Sequence, residues 1–279
     1  HANVIAAYLD GELEEPSQFA ENLDLCIKCK QCIAPCPAGV EIAKLAIRAH
    51  ERHHEAEGAT LGDRALAHPR RLNRLGSLAA PVSNRLASFG PVKAVLERVL
   101  DIDARRSLPT FARESFEAWY QDHEPAAAAG GLDRRVALFV DCYVNYNEPA
   151  IGKAAVQLLE RMGVEVQLAA NTCCGRAALS KGFIDAAEAY ADAHVDRLAG
   201  LVEAGYDLVA IEPSCAAMLQ DEYTDFYATE RVDRLAANSY ELMEYLDAYI
   251  DESGLGFDRL DRSVAVHSHC HTKHLGIDR

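Results

Sequence analysis

Long apolar runs are missing from this chain of 279 residues, and no stretch approaches the roughly 18 consecutive apolar residues that a membrane-spanning helix needs. The opening HANVIAAYLDGELEEP also lacks a basic segment followed by an apolar core, so no secretion signal is read there and an intracellular protein is expected. Lysine is scarce: it supplies seven of 28 basic residues, set against 43 acidic ones. The resulting net charge of -15 argues against nucleic acid and other polyanions as partners, and an acid-rich, lysine-poor surface also suits concentrated salt. There is no GxGxxG fingerprint to cradle a dinucleotide. Even pairing of cysteines is absent too. Nine is an odd number, which together with the missing secretion signal sets a disulfide framework aside in favour of metal or redox chemistry. Because the first residue is His1 and not methionine, further sequence is expected upstream.

What is present is 49% hydrophobic side chains, enough for a real core and for two domains, or one domain with an appendage. Four of the cysteines fall in CIKCKQCIAPCP: Cys26, Cys29, Cys32 and Cys36, followed by Pro37. This C-x2-C-x2-C-x3-C-P spacing is the bacterial ferredoxin run, in which closely spaced thiolates wrap a [4Fe–4S] cube. The fourth cysteine of such a run serves the other cluster in two-cluster proteins, so a second run is expected before residue 1. Zinc on the same four cysteines is the competing reading, but short steps closing on Cys-Pro fit a cubane better than paired zinc knuckles.

The other five cysteines are Cys142, Cys173, Cys174, Cys215 and Cys270. VALFVDC ends at Cys142, NTCCG holds Cys173 and Cys174, and IEPSC ends at Cys215, with 30 and 40 residues between successive sites. Those gaps leave room for helical crossovers, so the three sites are expected to meet at the carboxyl edge of a parallel sheet. Ile151, Ala155, Leu158 and Met162 predict one helical face. Ile184, Ala187, Ala191, Val195, Leu198 and Val202 predict another, ending at Gly205. DLVAIEP reads as a buried strand, after which Ser214 is expected to cap a helix with Cys215 in its first turn, where a thiolate is favoured. The plain alternative for Cys173 and Cys174 is a pair of small core residues before a turn. SVAVHSHCHTKHLG predicts a further strand leading to Cys270, with His267, His269, His271 and His274 as polar lining or, alternatively, metal ligands.

Between the two groups, residues 40–120 look helical and are punctuated by Pro69, Pro81, Pro91 and Pro109. HEPAAAAGG at 123–131 reads as a linker. From Asp63 to Arg106 nine basic residues face four acidic ones, reversing the charge of the chain. Leu72, Leu75, Leu78, Leu86, Val92, Val95, Leu96, Val99 and Leu100 alternate with those arginines. The helices would either rest on anionic lipid or pack on the cluster domains with arginines in solvent. No tandem repeat is evident, although the segments at Cys142 and Cys270 could each open a similar unit.

With these residues in view, the chain resembles the C-subunit family of anaerobic glycerol-3-phosphate dehydrogenases, an iron–sulfur family of the CCG type, from about residue 22 onward. LDLCIKCKQC, CPAGVEI, IDARRSLPTFARESFEAWY, DCYVNYNEPAIGK, MGVEVQL, CCG and PSCAAMLQDEY stand in that family's order. The resemblance implies an α + α/β chain: a helical ferredoxin-like module (1–60), a helical connector (61–131) and a Rossmann-like cysteine-rich domain with a mostly parallel sheet (132–279). It implies that Cys26, Cys29, Cys32, Cys36, Cys142, Cys173, Cys174 and Cys215 are metal ligands and that Cys270 opens a second CCG unit. Two [4Fe–4S] clusters are expected in the full-length chain and a further one in the CCG domain. FAD is expected on a partner dehydrogenase subunit, and electrons pass to membrane quinone. The chain itself is expected to have no catalytic residue and to lie in the cytoplasm against the inner face of the membrane, with a membrane-anchoring subunit as a possible neighbour. Met218 stands where wider CCG patterns carry another cysteine, which weighs against a five-cysteine noncubane cluster. Subunits of glycolate and lactate oxidation share this architecture, and a heterodisulfide-reductase-like thiol–disulfide reductase is the alternative of another class.

Overall fold

After its two arginines, the run Val-Ala-Leu-Phe at 136–139 carries no polar residue, as a strand covered on both faces requires. It completes β1 (Arg134–Phe139), an inner strand of a four-stranded sheet in a computed structural model that describes residues 2–12, 22, 24–33, 36–170, 173–259 and 261–277. The other strands are β2 (Val164–Ala170), β3 (Asp207–Ala210) and β4 (Ser239–Glu241). The order is β2-β1-β3-β4, and every pairing is parallel. Alternate side chains of a strand point to opposite faces. Ala137, Phe139, Leu208 and Ala210 accordingly join one core, and Val136, Leu138 and Val209 join the other.

The first core is closed by the helices Ile184–Asp192, Val195–Glu203 and Glu230–Ala237, the second by Phe116–Gln121, Pro149–Met162 and Leu242–Ser253. Ile47 and Ala67, from helices Ile42–Glu57 and Leu61–Ala67, also lie in the first core, so the N-terminal helices are continuous with the α/β body. The expected mixture of a helical region and a parallel sheet is therefore present.

Several local expectations are corrected. The buried stripe of helix Pro149–Met162 is Gly152, Ala155, Val156, Leu159 and Met162, while Ile151 is exposed. Gly152 sets this rotation: a Cβ there would stand 2.7 Å from the Phe116 ring and 2.8 Å from Val144, so the helix presses its glycine against them. The 184–202 stripe is two helices, broken around His194, whose ring is buried 2.6 Å (Nε2) from the Tyr223 hydroxyl. The strand expected in SVAVH does not form. Residues 263–267 are exposed and irregular, and the short strand β4 takes the place beside β3. HEPAAAAGG is no free linker, since Ala129 and Gly130 donate to the Arg161 carbonyl and Gly131 donates to that of Ser253. A Cβ on Gly130 would meet both the Met162 and Ser253 carbonyl oxygens at 2.7 Å, which is why glycine closes the segment.

The helices Pro69–Leu78, Ala80–Ala87 and Gly90–Leu100 bury only Ala80 among them. Leu72, Leu75, Leu78, Val82, Leu86, Phe89, Val95 and Val99 are exposed, Leu78 by 79%. Helix Pro69–Leu78 still packs on helix Cys142–Tyr146, and Ser77 and Asn84 bond to the backbone of Ala112 and Phe111, so the stretch is docked on the body while most of its large apolar side chains face outward.

Candidate metal centre

Three neighbouring parallel strands deliver the second cysteine group to one edge. Past β1, the Asp141 carboxylate accepts the N–H groups of Tyr143 and Val144 and caps the helix Cys142–Tyr146, which puts Cys142 in its first turn. Past β2 come Cys173, Cys174 and Gly175; Asn171 and Thr172 of the same motif lie outside the described residues, as do Ala34 and Pro35 of the first run. Gly175 takes φ +92°, and a Cβ on it would stand 2.9 Å from the Ala187 carbonyl oxygen, so only glycine turns the chain here into the helix Arg176–Ser180. Past β3, Glu212 accepts the Cys215 N–H at 2.9 Å and caps the helix Pro213–Ala217. The cap is Glu212 and not the expected Ser214, whose hydroxyl instead donates to Glu212.

The four thiols of this edge are linked in succession. Hydrogen bonds join Cys142 to Cys173 and Cys173 to Cys174, and the sulfurs of Cys174 and Cys215 are 3.0 Å apart. Cys173, Cys174 and Cys215 are buried and Cys142 nearly so. The 3.0 Å separation is too long for a disulfide of about 2.05 Å. It is shorter than the ~3.8 Å between two thiolates on one tetrahedral zinc with bonds of about 2.3 Å. Hydrogen bonds from Cys142 and Cys174 pull the Cys173 thiol down to about 3. The same bond to Cys173, with burial, raises Cys142, and Cys174 is raised by its bonds to Cys173 and Cys215 and by burial. The Cys174 hydrogen bond pulls Cys215 down, but burial and the Glu212 and Asp141 carboxylates win and push it up to about 12. Burial of these thiols means that several thiolates held together there call for compensating positive charge. Soft sulfur donors in such a pocket fit an iron–sulfur group, which Cys142, Cys173, Cys174 and Cys215 would hold. Met218, where a fifth cysteine would stand, is fully buried in the core.

The first cysteine run is docked on the same body. Lys28 and Lys30 take left-handed φ values of 54° and 59°. Both side chains are buried, while Cys26, Cys29 and Cys36 are half-buried and Cys32 is exposed. Lys30 pairs with Asp221 and with Glu222, and Arg176 with Glu222. The Lys28 carbonyl accepts from Arg176 Nη2 at 3.3 Å and from His271 Nε2 at 3.2 Å, and Gln31 Nε2 donates to the Cys270 carbonyl at 2.7 Å. Lys28 Nζ lies 3.1 Å from His50 Nε2. The Val40 N–H points at Cys36 Sγ from 3.4 Å. Among the described residues no three sulfurs of this run lie within 4.8 Å of one another, a spread wider than one zinc ion bridges.

Cys270 opens the short helix Cys270–Leu275 behind its cap His269, much as Cys142 follows Asp141, and His271 and His274 fall in that helix as expected. His267 is exposed. Sequence reasoning brought the cysteines together but missed Lys28, Lys30, Arg176 and Glu222. Two of the chain's seven lysines sitting between cluster-type cysteines, and an arginine directly after CCG, were the available signals.

The model for the CCG cysteine-rich domain matches residues 136–220, which hold Cys142, Cys173, Cys174 and Cys215. The C-subunit of the anaerobic glycerol-3-phosphate dehydrogenase of Escherichia coli K12 is 30% identical over 275 residues, 96% of this chain and 68% of that protein. Lactate utilization protein A of Geobacillus thermodenitrificans is 35% identical over 147 residues, 50% of this chain and 59% of that protein. Its counterpart in Geobacillus kaustophilus is 34% identical over 149 residues, 51% of this chain and 60% of that protein. No solved structure matches. The agreement with the dehydrogenase's C-subunit over nearly the whole chain, cysteine edge and docked run included, means that this protein belongs to the C-subunit family of anaerobic glycerol-3-phosphate dehydrogenases.

Proposed function

We propose that this chain is an iron–sulfur electron-transfer subunit that takes electrons from a flavin-bearing glycerol-3-phosphate dehydrogenase subunit and passes them toward membrane quinone. The observation that carries the reading is the convergence of four thiols on one sheet edge, with a second run of cysteines keyed to the same body through Lys28 and Lys30. Cys26, Cys29, Cys32 and Cys36 would hold [4Fe–4S] groups of the ferredoxin type, and Cys142, Cys173, Cys174 and Cys215 a further group. Such a group supplies one-electron transfer when bound. The chain's own residues set its surroundings through burial and through N–H donors such as Val40 facing Cys36. Residues 1–60 are the ferredoxin-like module, 61–131 the connector and 132–279 the CCG domain of this reading. Glycerol 3-phosphate is preferred over lactate as the donor's substrate because the likeness to the dehydrogenase's C-subunit runs through 96% of the chain, against 50% for lactate utilization protein A.

Iron, sulfide and zinc content with electron paramagnetic resonance of the dithionite-reduced protein tests this, using a chain extended upstream by the sequence expected there. Ferredoxin-type signals that Cys29→Ser removes are expected; zinc without sulfide would overturn the assignment.

The reading includes peripheral attachment to the inner face of the membrane. Among the described residues no helix is long and apolar enough to cross one. The exposed leucines and valines of the 69–100 helices lie among Arg70, Arg71, Arg74, Arg85, Lys93 and Arg98, a basic face on a protein of charge -15. Anionic lipid matches both properties. Burying one leucine side chain is worth about 1.5–3 kcal/mol. The double variant Leu75→Glu, Leu78→Glu is therefore expected to weaken co-sedimentation with phosphatidylglycerol vesicles by at least about tenfold. Equal binding to neutral phosphatidylcholine vesicles would exclude this mode of attachment.

A further inference from the structure

We propose that Tyr223 and His194 are positioning residues for the cysteine edge: through the single peptide that joins Cys174 to Gly175 they strengthen a hydrogen bond to the Cys173 sulfur, and so set how readily a group bound there takes an electron. The inference rests on the reading that Cys142, Cys173, Cys174 and Cys215 hold an iron–sulfur group.

The two ends of that peptide face different partners. Its carbonyl, on Cys174, accepts from the Tyr223 hydroxyl at 3.1 Å, and its N–H, on Gly175, donates to the Cys173 sulfur. On the far side of the hydroxyl, His194 Nε2 stands 2.6 Å away. A carbonyl only accepts, so the Tyr223 proton points at Cys174 and the imidazole proton sits on Nε2. Nδ1 then carries a lone pair, and it is this ring nitrogen that is buried without a hydrogen-bond partner. Donation thus runs in one direction, from His194 to Tyr223, from Tyr223 to the peptide and from the peptide to Cys173. Hydrogen bonds in such a chain polarise one another, by about 10–30% per bond, and count for more where water is excluded. Tyr223 is fully buried and His194 is 3% exposed.

Local structure holds these donors in place. One turn of π-helix, Met218–Glu222, runs from the Cys215 helix into Tyr223, an irregularity that recurs at functional sites. The His194 ring is held between Phe139 and Tyr223, with centroids 5.6 and 5.8 Å away. Beyond the peptide, the Gly175 carbonyl accepts the Leu179 N–H at 2.9 Å, so the chain on that side is fixed as well.

Besides Gly175, the thiols of Cys142 and Cys174 donate to the Cys173 sulfur. Thiols lose their protons on becoming ligands. The Gly175 N–H cannot be lost, so its bond persists, and hydrogen bonds to sulfur are one of the levers on cluster potential. A stronger donor favours the more negative, reduced state.

The test uses the full chain in two states. In the iron-free chain, Tyr223→Phe should move the Gly175 amide proton upfield, reporting a weaker N–H···S bond. Tyr245→Phe, which removes a buried hydroxyl from the core on the opposite face of the sheet, should leave that proton in place. In the iron-loaded chain, the signal that Cys174→Ser removes should become harder to reduce in Tyr223→Phe, by about threefold in the reduction equilibrium or about 28 mV for one electron, and by less in His194→Phe. His194→Gln, whose amide still donates, should restore part of the His194→Phe shift. Nitrogen-15 shifts of the His194 ring should place its proton on Nε2. A Gly175 proton or a potential indifferent to Tyr223→Phe, or an equal change in Tyr245→Phe, would overturn the proposal. So would a ring proton on Nδ1, directed at the Tyr190 carbonyl, because Tyr223 would then donate to His194 and leave Cys174. The upfield Gly175 shift in a chain that takes up no iron at this edge would count against the bound group alone and leave the chain of donors standing.

Discussion

Replacing Glu222 with alanine is expected to destabilise the protein by about 3–5 kcal/mol, the cost of leaving buried cations without their partner. Glu222 is 3% exposed and serves two cations at once: its Oε1 lies 2.6 Å from Lys30 Nζ and also accepts from Arg176 Nη1. Lys30 and Arg176 are themselves buried, so neither can recover the interaction from water. Asp221 remains beside Lys30, held below the ordinary carboxylate range against its own partial burial by that lysine's hydrogen bond, and it limits the loss on that side. Among the described residues Arg176 has no second carboxylate partner and keeps the Lys28 carbonyl. In thermal unfolding the loss reads as a fall of roughly 10 °C, given about 2–4 °C per kcal/mol for a domain of this size. Glu222→Gln should cost less, because an amide oxygen still accepts. Adding Lys30→Met to Glu222→Ala should recover part of the loss, since it removes one stranded charge. Faster amide exchange at Lys28 and Cys29 in Glu222→Ala would localise the effect to the docked run. A loss below about 1 kcal/mol with unchanged exchange would mean that water replaces the pairing and that the run is not keyed through Glu222.

The meeting of Cys142, Cys173, Cys174 and Cys215 was legible in the sequence because it depends on periodicity alone. Apolar runs of strand length, each ending in cysteine and separated by helix-sized gaps, allow little else than a parallel sheet with its ligands at one edge. The rotation of helix Pro149–Met162 was not legible, because Gly152 scores as neither core nor surface until Phe116 is known to stand against it. The end at SVAVH failed for a related reason. Its alternation is strand-like, but the position beside β3 was taken by Ser239–Glu241, which is too short and polar to register as a strand. The capping residue was misread because glutamate is a less usual cap than serine. At this edge the carboxylates of Asp141 and Glu212 follow a strand and that of Glu241 ends one, and each caps a helix N-terminus. Least legible were the buried ion pairs, since Lys30 and Glu222 stand 192 positions apart in the chain and nothing local marks either as buried. For the 69–100 helices the amphipathic pattern left two readings open, because it reports a face that must be covered without stating what covers it.

The contribution of His194 to stability should be lost as the solution is acidified below about pH 6.5. Burial holds its imidazole neutral and lowers its pKa from 6.5 to about 4. A histidine with a depressed folded pKa contributes fully above its unfolded pKa, and the contribution is lost as pH falls through the folded value. Between those limits the unfolded chain binds the proton more readily, so this group's contribution declines with acid. From pH 7 to pH 4 the loss from this group is about 3 kcal/mol. The ring lies between Phe139 and Tyr223, and the Tyr223 hydroxyl in turn donates to the Cys174 carbonyl, so protonation there reaches the wall of the thiol pocket. Asp141 acts in the other sense: burial raises its carboxyl to about 6, and protonating it on acidification favours the folded state. The total pH profile therefore mixes opposed contributions, and a paired measurement separates them. Urea unfolding of the wild type and of His194→Phe at pH 7 and pH 4 should show the wild type losing about 3 kcal/mol relative to the variant, with Asp141 cancelling between them. Parallel profiles for the two proteins would show that the imidazole reaches water in the folded state and that its burial beside Tyr223 does not govern acid stability.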